Sequence, residues 1–202
     1  MTDSLADTAT AHKAVTRPAA GPEHSPTVVY IAGSGRSGST LLERTIGAVP
    51  GFVNVGELID LSRRTVSRGE RCGCGQAFVE CEFWNQVGER AFGGWDAETL
   101  ANIRRLQFRV ARQRHMARLI AVRMTDGRFR ADLASYGASY THLYHAIAAV
   151  NGANYVVDAS KWPAQALALA RSGVDMRVIH FVRDVRGVAY SLNKQVERPH
   201  TA

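Results

Sequence analysis

Long apolar runs are missing from this chain. None approaches the ~20 residues that a membrane-crossing helix needs, which argues against a helical span. Cysteine is scarce, with three residues and so an odd count. Met1 to Pro26 has no apolar segment of the secretory type, so the expected setting is a reduced, cytoplasmic one. Rich in Ala, Thr, Ser, Asp and Pro, that stretch reads as a mobile tail. Internal repeats are absent too. Acidic residues number 18 against 25 Lys and Arg, a formal charge of +7 that suits an anionic ligand. What remains, 202 residues at 46% hydrophobic, is enough for one domain with a sizeable core. We expect that domain to cover 27–202, with an irregular or helical insert at about 63–130.

The most informative stretch runs from Val28 to Glu43. A short β-branched and aromatic run predicts a buried strand. A loop follows, Gly33-Ser34-Gly35-Arg36-Ser37-Gly38, and then a helix from Ser39 to about Ala48. Strand, glycine-rich loop and helix start cradle a phosphate: the backbone approaches closely, its N–H groups converge, and the helix start adds positive potential. Hydroxyls of Ser37, Ser39 and Thr40 add donors, and Arg36 adds a planar cationic fork. The nucleoside-triphosphate pattern G-x-x-x-x-G-K-[ST] is nearly met, but Ser39 fills the lysine slot. That absence argues against an ordinary ATPase or kinase. The plain alternative is a glycine-rich turn that binds nothing.

Gly35-Arg36-Ser37-Gly38-Ser39-Thr40-Leu41-Leu42 resembles the 5′-phosphosulfate loop of sulfotransferases that use 3′-phosphoadenosine 5′-phosphosulfate (PAPS). The Arg form is the one seen in tyrosylprotein, carbohydrate and many bacterial members. The resemblance implies a P-loop-NTPase-like α/β fold: a three-layer sandwich on a mostly parallel central sheet.

Three further places carry candidate chemistry. Phe52 to Val55 predicts a strand running into Gly56-Glu57, 21 residues after Arg36. A carboxylate at the carboxyl end of such a strand lies where α/β sheets bind ligands. By resemblance Glu57 is the catalytic base. A surface cap of the next helix is the alternative, and Asp60 is the nearest substitute. Tyr155 to Asp158 predicts a third strand, delivering Ser160-Lys161 to the same rim, with Pro163 opening a helix to 171. By resemblance Lys161 is a second cation on the transferring group; otherwise it is a solvated lysine at a helix start. Met176 to Val182 predicts a fourth strand, then Arg183-Asp184-Val185-Arg186, with Ser191 eight residues after Arg183. One guanidinium and one hydroxyl can converge there on one anion. The stretch resembles the 3′-phosphate motif of the family, with Val185 where Pro is common. Asp184 and Arg186 are expected to brace the turn, and His180 to be packed.

The rest is less specific. Cys72, Cys74 and Cys81 offer three thiolates and no nearby His, short of the four ligands of a structural zinc site. Three buried thiols, or one redox-labile pair, is the expectation within an irregular 63–95. Asp96 to about Met124 predicts one long helix with Ile103, Leu106, Val110, Ala117 and Ile120 on its apolar stripe and many arginines elsewhere. A solvated basic face, or a wall recruiting an acidic acceptor, is preferred to nucleic-acid binding. Leu133 to about Val150 predicts a second helix, its Tyr136, Tyr140 and Tyr144 in the core.

By resemblance, then, Gly35 to Thr40 hold the 5′-phosphosulfate and Arg183 with Ser191 the 3′-phosphate. Glu57, Arg36 and Lys161 perform transfer to a hydroxyl or amine of a small molecule, carbohydrate or peptide. No metal is required, and the product is 3′-phosphoadenosine 5′-phosphate (PAP). Family members run on past the point where this sequence stops, so an incomplete carboxyl-terminal part is expected. The rival expectations are a P-loop-type kinase or nucleotide-binding protein and a catalytically incomplete PAP(S)-binding module.

Overall fold

The computed structural model describes residues 25–63 and 71–193. The expected tail lies outside these residues but for Ser25 and Pro26, as do 64–70 of the insert and the closing residues 194–202. In chain order the elements are β1 (Thr27–Gly33), α1 (Ser39–Gly47), β2 (Phe52–Asn54) and the single turn α2 (Leu61–Arg63). Next come α3 (Glu82–Phe92), α4 (Ala97–Val110), α5 (Met116–Ile120) and α6 (Gly127–Asn151). The last four are β3 (Tyr155–Lys161), α7 (Pro163–Arg171), β4 (Met176–Phe181) and α8 (Val185–Asn193).

The architecture is α/β. The four strands form one sheet in the order β2-β3-β1-β4, and every pairing is parallel. Parallel strands need cover on both faces, and alternation along β1 supplies two apolar sets. Val28, Tyr30 and Ala32 join the larger core with α6 and α7. Ile31, with Val29 beside it, joins a smaller cluster with Leu42 and Ile46 of α1. Thus α1 covers one face and α7 the other. Because β1 leads to α1 and its neighbour β3 leads to α7, the sheet has its switch point between these two strands, where α/β sheets open a ligand crevice.

The insert departs from expectation in three ways. Residues 82–92 form α3, closed by Gly93 in the left-handed region with its N–H on Glu89 O at 2.9 Å. The single long helix from Asp96 is broken. Its start is as expected, since Asp96 accepts from the Thr99 N–H at 2.7 Å, but α4 ends at Val110. Arg112 turns away in extended backbone, and its guanidinium stacks over Phe108 at 4.6 Å and Trp162 at 5.0 Å. The break shifts the helical phase, so Leu119 is buried and Ile120 exposed. Thirdly, α6 begins at Gly127, six residues before the expected start, where Asp126 accepts from the Phe129 N–H at 2.8 Å. Several arginines of this region have structural partners, among them Arg109 on Asp132 and Arg118 on Asp126.

Two smaller expectations are also corrected. Cys81 is buried, but Cys72 is half-buried and Cys74 exposed. His180 lies on an exposed part of β4 rather than packed.

Candidate functional site

All four strands end at one rim, and each delivers a candidate residue there. Gly33 ends β1 against β4 so closely that a Cβ would lie 2.2 Å from Phe181 O, which only glycine permits. The chain then passes through Arg36 at φ 64° to Gly38 at φ 102°, which caps α1. Leu41 and Leu42 donate back to Gly38 O at 3.0 and 3.2 Å. The Ser37 hydroxyl donates to Ser34 O at 2.8 Å, bracing the loop from within. Ser37 and Ser39 are buried, whereas Thr40 is exposed. A Cβ on Gly35 would meet nothing within 4 Å, so that side of the loop is open.

Arg36 leans toward the second loop. Its Nε donates to Ser191 Oγ at 3.1 Å and its Nη2 to Ser191 O at 3.3 Å. In return Arg183 Nη1 donates to Arg36 O at 3.2 Å. Arg183 lies over Gly187, where a Cβ would come within 2.8 Å of its Nε. Asp184 accepts from the Arg186 N–H, Nε and Nη2 at 2.9, 3.0 and 2.9 Å, the expected brace. Gly35 to Thr40, Arg183 and Ser191 are therefore brought together, from positions about 150 residues apart.

Glu57 and Lys161 form a second pair. Val55 donates to Val157 O at 3.1 Å and Ala159 to Gly56 O at 2.8 Å, extending the β2–β3 pairing past Asn54. This sets Glu57 beside Lys161, and Nζ donates to Oε1 in an ion pair, with side-chain exposures of 14% for Lys161 and 34% for Glu57. Lys161 also has positive φ, at 69°, in a three-residue turn that Trp162 N–H closes on Ser160 O at 2.9 Å. The register of β1 on β3 slips by one residue just before it.

Comparison with family models, curated proteins and solved structures found no match.

Beneath the Glu57–Lys161 pair lies a buried polar network that sequence reasoning did not single out. Asp158 is fully buried and accepts from the Ser160 hydroxyl, the Ser160 N–H at 2.9 Å and the Tyr144 hydroxyl at 2.7 Å. Burial pushes its carboxyl up to about 6, against the pull of those donors. Ser160 Oγ accepts from Ile59 N–H at 3.0 Å, Tyr140 donates to Leu58 O at 3.2 Å, and Gln107 donates to Ile59 O at 3.1 Å. Three side chains thus pin the turn that follows Glu57. On the other side, Tyr30 donates to Trp162 O at 2.9 Å and to Gln165 Oε1 at 3.1 Å, fixing the turn after Lys161. Glu43 on α1 is also buried, with its carboxyl raised by burial, and accepts from Asn54 at 3.4 Å. A polar residue in a helix gives no sequence signal of such burial. For Asp158 the signal was its place in a buried strand, where a carboxylate must find donors.

Read across the sheet, the rim carries a carboxylate after β2, a lysine at the end of β3, the glycine-rich loop after β1 and Arg183 with Ser191 after β4. Three strand spacings of about 4.8 Å make this a row roughly 14 Å long. Such a row can hold a ligand with two separated anionic groups and place a base at one end.

Proposed function

We propose that this chain is a sulfotransferase, on a P-loop-like fold, that moves a sulfuryl group from PAPS to a hydroxyl or amine of a small-molecule, carbohydrate or peptide acceptor. The observation that carries the reading is the joining of the two loops: Arg36 bonded to Ser191, and Arg183 bonded to Arg36. Loops that far apart in sequence share one rim, so one doubly phosphorylated nucleotide can span both.

Bound there, PAPS supplies a sulfuryl group on a phosphate leaving group. The N–H groups of the Gly35–Thr40 turn and Arg36 hold the 5′ end, and Arg183 with Ser191 holds the 3′-phosphate. Glu57, held in place by its ion pair with Lys161, takes the proton from the acceptor as its oxygen or nitrogen forms the new bond to sulfur. Arg36 and Lys161 stabilise the charge gathering on the oxygens as the bond from sulfur to the bridging phosphate oxygen breaks. Fixed cations and backbone dipoles do this work, so the transfer needs no metal. Ser39 in the lysine slot is buried, which leaves no point charge for a γ-phosphate at that position.

The test is Glu57→Gln, assayed with PAPS and a panel of sugar, phenol, amine and peptide acceptors. Transfer should be abolished while PAP binding stays within about twofold. Transfer at the unmodified rate would overturn Glu57 as the base.

A further inference from the structure

We propose that Cys72, Cys74 and Cys81 bind one thiophilic divalent cation of the zinc type, as a three-thiolate tripod whose fourth position is left to water. Their sulfurs all lie within 4.8 Å of one another, with Cys74 and Cys81 3.6 Å apart. A tetrahedral zinc with Zn–S bonds of about 2.3 Å has S···S edges of about 3.8 Å. One edge is already at that length, and the others close with a shift of about 1 Å or less.

The local fold builds this convergence. Cys72 and Cys74 sit in a hairpin held by Cys72 N–H on Gln76 O and Gly75 N–H on Cys72 O, both at 2.8 Å, and by an antiparallel bridge between Arg71 and Ala77. Arg71 Nη1 ties the same turn down through Gly75 O at 2.9 Å. Cys81 comes from a different element, the N-cap position of the eleven-residue α3, where its side chain caps nothing. A disulfide would use two of these sulfurs and strand the third, whereas one metal uses all three. Two thiolates neutralise a divalent cation. The remaining negative charge belongs to a set that includes the N-cap residue of α3, where a helix start favours it, and Arg71 is held on Gly75 O in the turn that carries Cys72 and Cys74. Cys74 is exposed and gives the ion its way in, while buried Cys81 forms the floor.

The metal would have a structural consequence near the rim. Phe78 and Trp84, whose rings stack at 5.0 Å, lie just before and after Cys81. With Cys72, Leu58 and Leu61 they line a cleft of about 90 Å³ that reaches Glu57. A clip at the three thiolates would fix that wall. This inference does not depend on which reaction the rim performs.

The full chain, reduced and stripped with a chelator, is titrated with Co²⁺ followed by eye-visible absorption, and with Zn²⁺ against a chromophoric competitor. One equivalent of Co²⁺ should give thiolate charge-transfer and tetrahedral d–d bands, which one equivalent of Zn²⁺ then bleaches. Cys74→Ser and Cys81→Ser should each weaken Zn²⁺ binding roughly 100-fold or more. The cobalt spectrum needs no variant, so the idea stands or falls even if a substitution unfolds the chain. Absence of those bands in the reduced protein would overturn it. So would unchanged Zn²⁺ uptake when all three cysteines are serine, or a Cys74–Cys81 disulfide that persists in reduced glutathione and excludes metal.

Discussion

Among the described residues other than glycine, positive φ occurs at Arg36 (64°) and Lys161 (69°), and both are cations at the rim. A side chain held there costs about 1–2 kcal/mol, and such strain persists where the surroundings over-determine it and gathers at functional sites. Arg36→Gly should therefore be more stable to urea than Arg36→Ala by about 1 kcal/mol, the reverse of their usual order. Equal midpoints would remove the strain argument. Under the proposed reaction, Arg36→Ala also lowers transfer on the order of 10²–10³-fold, as for loss of one transition-state donor; steady-state rates check this. Asp158 sets a pH dependence. Its folded carboxyl, raised by burial to about 6, binds its proton more tightly than the unfolded chain does. The stabilisation is complete below the unfolded value near 3.8 and is lost as pH rises through about 6. Asp96, Asp126, Asp175 and Asp184 are lowered and act with the opposite sign, so the comparison must be with Asp158→Asn. Urea midpoints from pH 4 to 7 should show the parent losing on the order of 3 kcal/mol relative to that variant. Parallel pH curves would contradict it.

At the level of elements, the close approach of β1 to β4 positions the first loop against the second. Gly33→Ala would drive a Cβ into Phe181 backbone, which cannot swing aside as a side chain could. We expect a loss on the order of 3 kcal/mol and a displaced first loop, read by urea unfolding and by weakened anion binding. A loss below about 0.5 kcal/mol would show that the strands yield there. The strand–loop–helix order at β1 and β4 was legible in the sequence, because apolar runs and glycine-rich turns are local signals. So were the strand carrying Asp158 to Lys161 and the helix opened by Pro163. The break between α4 and α5 was not. Ala111 and Arg112 are ordinary helix residues, and the tertiary contact made at the break is Arg112 on Trp162, which spacing along the chain does not reveal. The start of α6, capped by Asp126, lies six residues ahead of the expected Leu133, because the cap is one polar side chain whereas the apolar stripe is the stronger local signal. Convergence of three cysteines depends on a hairpin and a helix start meeting, which spacing alone does not reveal.

For the molecule as a whole, the strand order β2-β3-β1-β4 sets the order of chemistry along the rim. Glu57 and Lys161 stand at one end, the Arg36 loop in the middle, and Arg183 with Ser191 at the other. No helix among the described residues is long and apolar enough to cross a membrane. Arg36 already bonds Ser191, and Arg183 bonds Arg36, so an anion entering between them must replace those contacts. Calorimetric titration of the full chain with PAP, beside ATP with Mg²⁺, tests the proposed bridging ligand most directly. One equivalent of PAP should bind more tightly than ATP, and Arg183→Ala should weaken PAP by at least about tenfold, as for a lost charged hydrogen bond. Preference for ATP with Mg²⁺, or PAP affinity unchanged in Arg183→Ala, would contradict it.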